Sequence, residues 1–347
     1  MTTPTDDPAP PPRGGRAPTS HDVALAAGVS QPTVSRALRD DPRVAAATRE
    51  RVQRAAERLG YVSSDRGRSL STRRSGRVAV VVEDLGNPFY LELLAALHDQ
   101  LEAARLRMVV LTAPRHGDER VERLVDGAID GAVLTTTLLD SPLPAQLRAR
   151  RFPFVLLNRV VDAPGMLSCA VDNVAGARLM AEQLLRRGHR RIAAVLGPAT
   201  TSTGRDRELG FRAALAAQGV SLPDELVRRG DFSHAAGRRG AGELLQRSRR
   251  PTAIFCANDV IALGAIDAAV QAGLRVPEQL SIVGFDDIGM AAWSVFELTT
   301  VRQGIRPLAA AAVELLLARL ADPGIGERRV VLDPELVLRR TLGPPPA

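Results

Sequence analysis

Ser30, Gln31, Pro32 and Thr33 open a short helical stretch inside Asp22–Leu38, which reads D-V-A-L-A-A-G-V-S-Q-P-T-V-S-R-A-L. Small hydroxyl and amide groups on the leading turn of a helix can reach base edges in a DNA major groove. Arg36 lies one turn further on, and a guanidinium can grip guanine through two parallel hydrogen bonds. The chemistry in view is recognition of nucleic acid. An ordinary helical hairpin with a solvated arginine is the alternative. The Gly-Val-Ser turn, the local charge and the N-terminal position favour DNA.

Catalytic sets are poor by comparison. Gly197–Arg205 superficially suggests a phosphate loop, but its spacing is wrong and it holds no lysine. The first candidate strand runs into Leu85-Gly86-Asn87-Pro88, not into a dinucleotide Gly-x-Gly turn. Histidines 21, 98, 116, 189 and 234 are scattered, with no metal-ligand spacing. Cys169 and Cys256 read as buried packing residues, and two cysteines exclude a disulfide framework. The expectation is no catalytic residue, no metal and no cofactor.

Charge points the same way as the helical stretch. All 46 basic side chains are arginine. Residues 1–76 hold 13 Arg against 8 Asp and Glu, a net of +5, whereas 77–347 hold 33 against 31, a net of +2. A basic module suits an anionic polymer, although charge alone fits a solvated tail equally. The 347 residues, 45% of them hydrophobic, are enough for two or three domains with a large core. No apolar run approaches the roughly 18 residues that span a bilayer, and no basic-then-apolar leader marks a secretory signal. The reading is soluble and cytoplasmic.

The elements that must position this chemistry follow from period and punctuation. Prolines crowd 1–18, which reads as a disordered leader. Thr19 or Ser20 can cap a first helix and Gly28 stop it; Ser30 can cap the second. A third runs from about Ala45 to Leu59, with Val52, Ala56 and Leu59 inward and Gly60 as stop. Beyond Arg77, short apolar runs alternate with helical patterns. Candidate buried strands are Val78–Val82, Met108–Leu111, Ala132–Leu134, Phe154–Leu157, Ile192–Leu196, Ala253–Cys256 and Ser281–Gly284. The alternation predicts doubly wound parallel sheets in two similar units, broken near Val171.

The ordered motifs carry a resemblance. The stretch above, with Asp41-Pro42-Arg43-Val44, Thr48-Arg49-Glu50-Arg51-Val52 and Leu59-Gly60-Tyr61, resembles the headpiece of LacI-type (lactose repressor, LacI-GalR) transcriptional regulators. The resemblance continues through Asn87-Pro88-Phe89, Val171-Asp172-Asn173, Gly210-Phe211, Ala257-Asn258-Asp259, Ile282–Asp287 and Leu298-Thr299-Thr300-Val301. It implies an all-α helix-turn-helix headpiece (19–62), a hinge helix and linker (63–76) and a two-lobed core like periplasmic binding proteins (77–343). The N-lobe would span about 77–171 and 303–330, the C-lobe about 172–302 and 331–343. DNA contacts would be Ser30, Gln31, Pro32, Thr33, Ser35 and Arg36. Leu70 would be the hinge side chain wedged into a central base step. The hinge departs from the family, with Ser63-Ser64 for a usual Pro-Asn and Gly67 for a usual alanine; glycine disfavours helix by about 1 kcal/mol.

The same resemblance places effector contacts at Phe89, Tyr90, Arg207, Phe232, Asn258 and Asp286. A carboxylate, an amide and a guanidinium offer the mixed donors and acceptors that sugar hydroxyls need, and Phe232 an apolar face. Asp286 and Asn258 each follow a strand, where open α/β sheets bind ligands. The implied function is a repressor of palindromic operator DNA, not an enzyme. It would act as a homodimer without membrane attachment, controlled by a sugar-like molecule. A dimer rather than a tetramer is expected, because Gly343 and three prolines follow Leu338 where a heptad helix would start. A periplasmic sugar receptor and a doubly wound enzyme are the rivals.

Overall fold

The structure is a computed structural model that describes residues 18–61, 75–112 and 119–346. All of the expected leader (1–18) but Pro18, and most of the expected hinge, with Ser63-Ser64, Gly67 and Leu70, lie outside the described residues. The chain divides into two compact units, Met1–Ser75 and Gly76–Ala347.

The first unit holds α1 (Ser20–Ala27), α2 (Gln31–Ala37) and α3 (Ala46–Leu59). Thr19 caps α1 reciprocally with Asp22: each side chain accepts from the other's backbone N–H. Gly28 then adopts a left-handed conformation, φ +64°, and ends the helix. Ser30 occupies the cap position of α2 but makes no side-chain cap bond. Its carbonyl already takes the N–H groups of Thr33 and Val34, so its hydroxyl pairs instead with the Thr33 hydroxyl at 2.8 Å. Val23, Ala27, Val34, Ala37, Val52 and Ala56 form the core, with Leu59 half-buried against it. Arg51 donates to the Ala27 carbonyl at 2.9 Å, tying α3 to the end of α1.

The second unit is built on two parallel sheets. The first contains β1 (Arg77–Val82), β2 (Arg107–Thr112), β3 (Gly131–Leu134), β4 (Phe154–Leu157), β5 (Leu167–Val171) and β11 (Arg328–Leu332), in the order β11-β5-β4-β3-β1-β2. The second contains β6 (Ile192–Leu196), β7 (Val227–Arg229), β8 (Ala253–Cys256) and β9 (Ser281–Val283), in the order β7-β6-β8-β9. The helices are α4 (Pro88–Ala103), α5 (Glu119–Val125), α6 (Leu143–Ala149), α7 (Asn173–Arg186), α8 (Ser202–Ala217), α9 (His234–Leu245), α10 (Asp259–Gln271) and α11 (Ile305–Ala321). β10 (Thr300–Arg302) and β12 (Glu335–Val337) form a small antiparallel ladder, an exception to the all-parallel expectation.

Three further expectations change. Met108–Leu111 is not a buried strand: β2 is the sheet's edge, and Val110 is 41% exposed. The seven-residue helices α5 and α6 were not anticipated, nor were β5, β7, β10, β11 and β12. Three residues of β7, β10 or β12 cannot register a period of two, and β11 opens with Arg328-Arg329 at an edge.

The chain passes between the sheets three times: after β5, between β10 and α11, and between β11 and β12. α11 packs on the first sheet and β12 returns to β10 beside the second. Each lobe therefore contains C-terminal segments. Helices α9 and α10 touch closely enough that a Cβ on Gly237 would overlap the Ile261 carbonyl.

His189 pins the last residues onto the second lobe. It is fully buried; its Nε2 donates to the Gly343 carbonyl at 3.0 Å, so Nδ1 accepts from the Thr252 hydroxyl at 2.9 Å. Burial lowers its pKa below 6.5. The unfolded chain binds this proton at a higher pH than the folded one, so stability is full above 6.5 and declines as pH falls below it. Thermal melting should therefore show a Tm that drops from pH 7 towards pH 5. His189→Leu should flatten that slope and destabilise the core by about 1–3 kcal/mol; an unchanged slope would assign the titration elsewhere.

Candidate functional site

Five of the helices in the second unit begin directly after strands or loops with a polar cap. Asn87 accepts the Phe89 N–H at the start of α4, Asp172 that of Ala175 on α7, and Thr201 that of Gly204 on α8. Ser233 accepts from Ala236 on α9 and Asn258 from Ile261 on α10. Capping short polar side chains at strand ends lines a cleft with hydrogen-bonding groups for a purely local reason.

Between the lobes, two of these caps, Asn87 and Asn258, join other side chains around a cavity of about 220 Å3, open solvent at its mouth included. The first lobe contributes Asn87, Phe89, Tyr90, Asn158 and Arg159; the second contributes Thr203, Arg207, Phe232, Asn258 and Asp286. Gln303 enters from the crossing after β10. All six expected effector residues, Phe89, Tyr90, Arg207, Phe232, Asn258 and Asp286, meet on this one cavity. Asn87, Asn158, Arg159, Thr203 and Gln303 were missed. The strand-end position that supports Asn258 and Asp286 would, applied to every strand, have found Asn158 and Arg159 after β4.

Arg207 and Asp286 form the centre. Arg207 Nη2 lies 3.0 Å from Asp286 Oδ1, and both side chains are almost wholly buried. Arg207 also donates from Nε to Asn173 Oδ1 at 2.8 Å and from Nη1 to the Ala257 carbonyl at 2.6 Å. Its guanidinium carbon sits 3.8 Å from the Phe285 ring centroid. Asp286 Oδ1 accepts a second bond, from Gln303 Nε2 at 2.6 Å. Burial raises the Asp286 pKa while Arg207 and Gln303 oppose the rise. Burial likewise pulls the Arg207 pKa down against the pull of Asp286. Asp286 has φ +121° and Asp287 φ +57°, conformations that cost of order 1–3 kcal/mol each and gather at functional sites. The turn is held by Asp287, which accepts from Arg302 at 2.7 Å and Arg339 at 2.6 Å.

Behind Asn258 lies Asp259, fully buried, accepting from Thr300 Oγ1 at 2.5 Å and the Ile288 N–H at 3.0 Å. Burial first, then the Asp286 charge, pushes its pKa well above the carboxylate range. It sits outside the lining and acts as scaffold.

Four buried polar atoms on the cavity have no partner: Asn158 Oδ1, Gln303 Oε1, Asn258 Nδ2 and Arg159 Nε. Two are acceptors and two are donors. Buried polar atoms are normally paired, so this convergence is what a site for a small polar ligand requires. Phe232 forms one wall beneath the Arg159 guanidinium, 5.4 Å from the ring centroid. Its position depends on Gly197, where a Cβ would overlap the Phe232 ring.

The Gly197–Arg205 stretch, rejected as a phosphate loop, joins the lips of the cleft. Leu139 N–H donates to the Thr200 carbonyl and Val160 N–H to Ser202 Oγ, both at 2.9 Å. Arg205 pairs with Asp162 across the same gap, and this ion pair lowers the Asp162 pKa. Cys169 and Cys256 are buried, their thiols raised in pKa by desolvation.

In the first unit, α2 presents Gln31, Pro32 and Arg36 to solvent, with Thr33 and Ser35 half-buried. Gln31 Nε2 donates to Ser20 Oγ at 2.8 Å. The Arg36 side chain has no hydrogen bond or ion pair among the described residues. An unpaired cation on the exposed face of a short helix can meet a base edge or phosphate.

Residues 19–64 match the family described as bacterial regulatory proteins, lacI family, and residues 181–342 match a periplasmic binding protein-like domain. The chain is 34% identical over 326 residues to the HTH-type transcriptional repressor CytR of Escherichia coli (strain K12), covering 92% of this chain and 95% of that protein. It is 34% identical over 336 residues to the HTH-type transcriptional regulator CelR of Thermobifida fusca, covering 94% and 98%. Among solved structures, the lac repressor dimer bound to operator and the anti-inducer ONPF matches with TM-score 0.84 and 30% identity, covering 94% of this chain and 99% of that one. A CelR–cellobiose complex matches with TM-score 0.72 and 33% identity, covering 94% and 100%.

The buried pair generates a stability prediction. Asp286→Ala leaves Arg207 desolvated and uncompensated, and should destabilise the core by about 3–5 kcal/mol in urea unfolding. Replacing both, Arg207→Met with Asp286→Leu, should recover most of that loss. A single mutant with wild-type stability would mean the pair is solvated.

Proposed function

The chain belongs to the LacI family of bacterial regulatory proteins, and from that premise we propose that it is a cytoplasmic transcriptional repressor, not an enzyme. It binds palindromic operator DNA as a homodimer, each subunit presenting Ser30, Gln31, Pro32, Thr33, Ser35 and Arg36 to the major groove. In this reading Leu70 wedges into a base step of the operator. Its operator affinity is set by a sugar-like effector held by Phe89, Tyr90, Arg207, Phe232, Asn258 and Asp286, with Asn158, Arg159, Thr203 and Gln303 completing the site.

The observation that carries this reading is the convergence of four unpaired buried polar atoms on one cavity between two lobes. Asn158 and Arg159 belong to one lobe, Asn258 to the other, and Gln303 to a crossing strand's end. A ligand satisfying all four joins the lobes and stabilises one lobe arrangement over another. Only such differential binding can shift a conformational equilibrium. The Arg205–Asp162, Ser202–Val160 and Thr200–Leu139 contacts are the lip contacts that this shift would make or break. The lac repressor, whose solved dimer is bound to operator, supports the dimeric DNA-bound form proposed here. The CelR complex with cellobiose supports a sugar-like effector.

Two experiments test it. Arg36→Ala should lower specific operator affinity by about 1–3 kcal/mol and relax preference at one base pair, read by fluorescence anisotropy on an operator library. Equal weakening on every sequence would make Arg36 a phosphate contact instead. Asn258→Ser retains a capping oxygen for α10 while deleting the Nδ2 donor. Effector-dependent release from operator should then need at least tenfold more ligand, with affinity for operator unchanged in the absence of effector. A full response at the wild-type concentration would remove Asn258 from the site.

A further inference from the structure

We infer that the effector is a polyhydroxylated molecule bearing one anionic group, a phosphate or a carboxylate, and that Arg159 receives that group. This rests on reading the interlobe cavity as the effector site.

The lining contains three charged side chains: Arg159, Arg207 and Asp286. Asp286 is already committed, to Arg207 at 3.0 Å and Gln303 at 2.6 Å. Arg159 is left over. It is only 8% exposed, and its Nε has no acceptor. Among the described residues no carboxylate lies within ion-pair distance of it. Its guanidinium carbon stands 5.8 Å from the Tyr90 ring centroid and 5.4 Å from that of Phe232. Ring faces partly replace water around a cation, but they supply no acceptor in the guanidinium plane.

The neighbouring acids do not cancel this charge. Tyr90 is held as the neutral phenol by burial, its pKa raised. Asp259 lies outside the lining, its two carboxylate oxygens taken by the Thr300 hydroxyl and the Ile288 N–H. Asp84, half-exposed on the loop after β1, is not part of the lining. The cavity thus carries one surplus positive charge at a guanidinium whose fork matches a carboxylate or phosphate. A bare anion does not suffice, because Asn158 Oδ1 and Gln303 Oε1 are acceptors that need donors, which ligand hydroxyls supply. A polyhydroxylated body with one charged arm meets these demands.

The test is calorimetric titration of the full chain with matched pairs: glucose 6-phosphate against glucose, ribose 5-phosphate against ribose, and glucuronate against glucose. Inorganic phosphate alone is the control. The charged member of at least one pair should bind tenfold or more tightly than its neutral partner. Arg159→Gln should abolish that preference, and Arg159→Lys should retain part of it. The phosphate and carboxylate arms distinguish the two sources of charge.

Equal or tighter binding of the neutral members, or no binding by any pair, overturns the inference. So does a preference that survives in folded Arg159→Gln. If that variant fails to fold, the wild-type pair preference and Arg159→Lys still decide. Inorganic phosphate binding as tightly as the sugar phosphates overturns the polyhydroxylated half. Operator binding by the same wild-type preparation is recorded in parallel. Its loss defeats the regulator reading, whereas intact operator binding with a neutral preference defeats only the anionic one.

Discussion

Arg207 and Asp286 face each other with almost no solvent, and most of the second lobe's cleft side is arranged around keeping both charged. A buried ion pair survives only if its remaining donors and acceptors are met. Arg207 accordingly reaches Asn173 on α7 and the Ala257 carbonyl after β8, and lies flat on Phe285. Asp286 takes Gln303 from the crossing after β10. The pair therefore ties α8, α7, the β8 and β9 ends and a lobe crossing into one network. Positive φ at Asp286 and Asp287 is the backbone strain that this aim requires, and Arg302 and Arg339 hold the turn in place.

The cavity follows from how the helices start. Asn87 and Asn258 are helix caps first: each uses one amide oxygen to satisfy an N–H that helix geometry leaves open. For Asn258 the other end of the amide then points at the cleft without a partner. One side chain thus caps a helix with its acceptor and leaves its donor open at the cavity. The same economy explains Gly197, which brings β6 close enough to Phe232 to place that ring as a wall. Lip contacts from Thr200, Ser202 and Arg205 arise from the cap and first turns of α8, so closure and cavity share one helix start.

Much of this was legible in the sequence. Buried β-strands such as Phe154–Leu157 and Ile192–Leu196 announce themselves as unbroken apolar runs because both faces are covered. The headpiece helices are bracketed by Thr19, Gly28 and Gly60, each acting through local backbone geometry. The six expected effector residues came from the resemblance carried by the ordered motifs, and a strand end independently marks only Asn258 and Asp286 among them. The parts that escaped were those whose cause is not local. The half-exposure of β2 follows from its being last in the sheet order, and β10 and β12 are three-residue segments defined by each other.

What the sequence determined by itself was therefore a set of features fixed by neighbours within a few positions: the Thr19 cap, the glycine stops, the apolar strands and the exposed leading turn of α2. Tertiary structure alone decided which polar groups are paired. Arg159 and Arg207 are both arginines near strand or helix ends, and nothing in their flanking residues separates them. The fold brings Asp286 from 79 positions along the chain to Arg207, and among the described residues it brings no carboxylate within ion-pair distance of Arg159. Burial then turns that difference into a neutralised charge in one case and an open one in the other, because an ion pair's worth depends on distance and desolvation, not on sequence order.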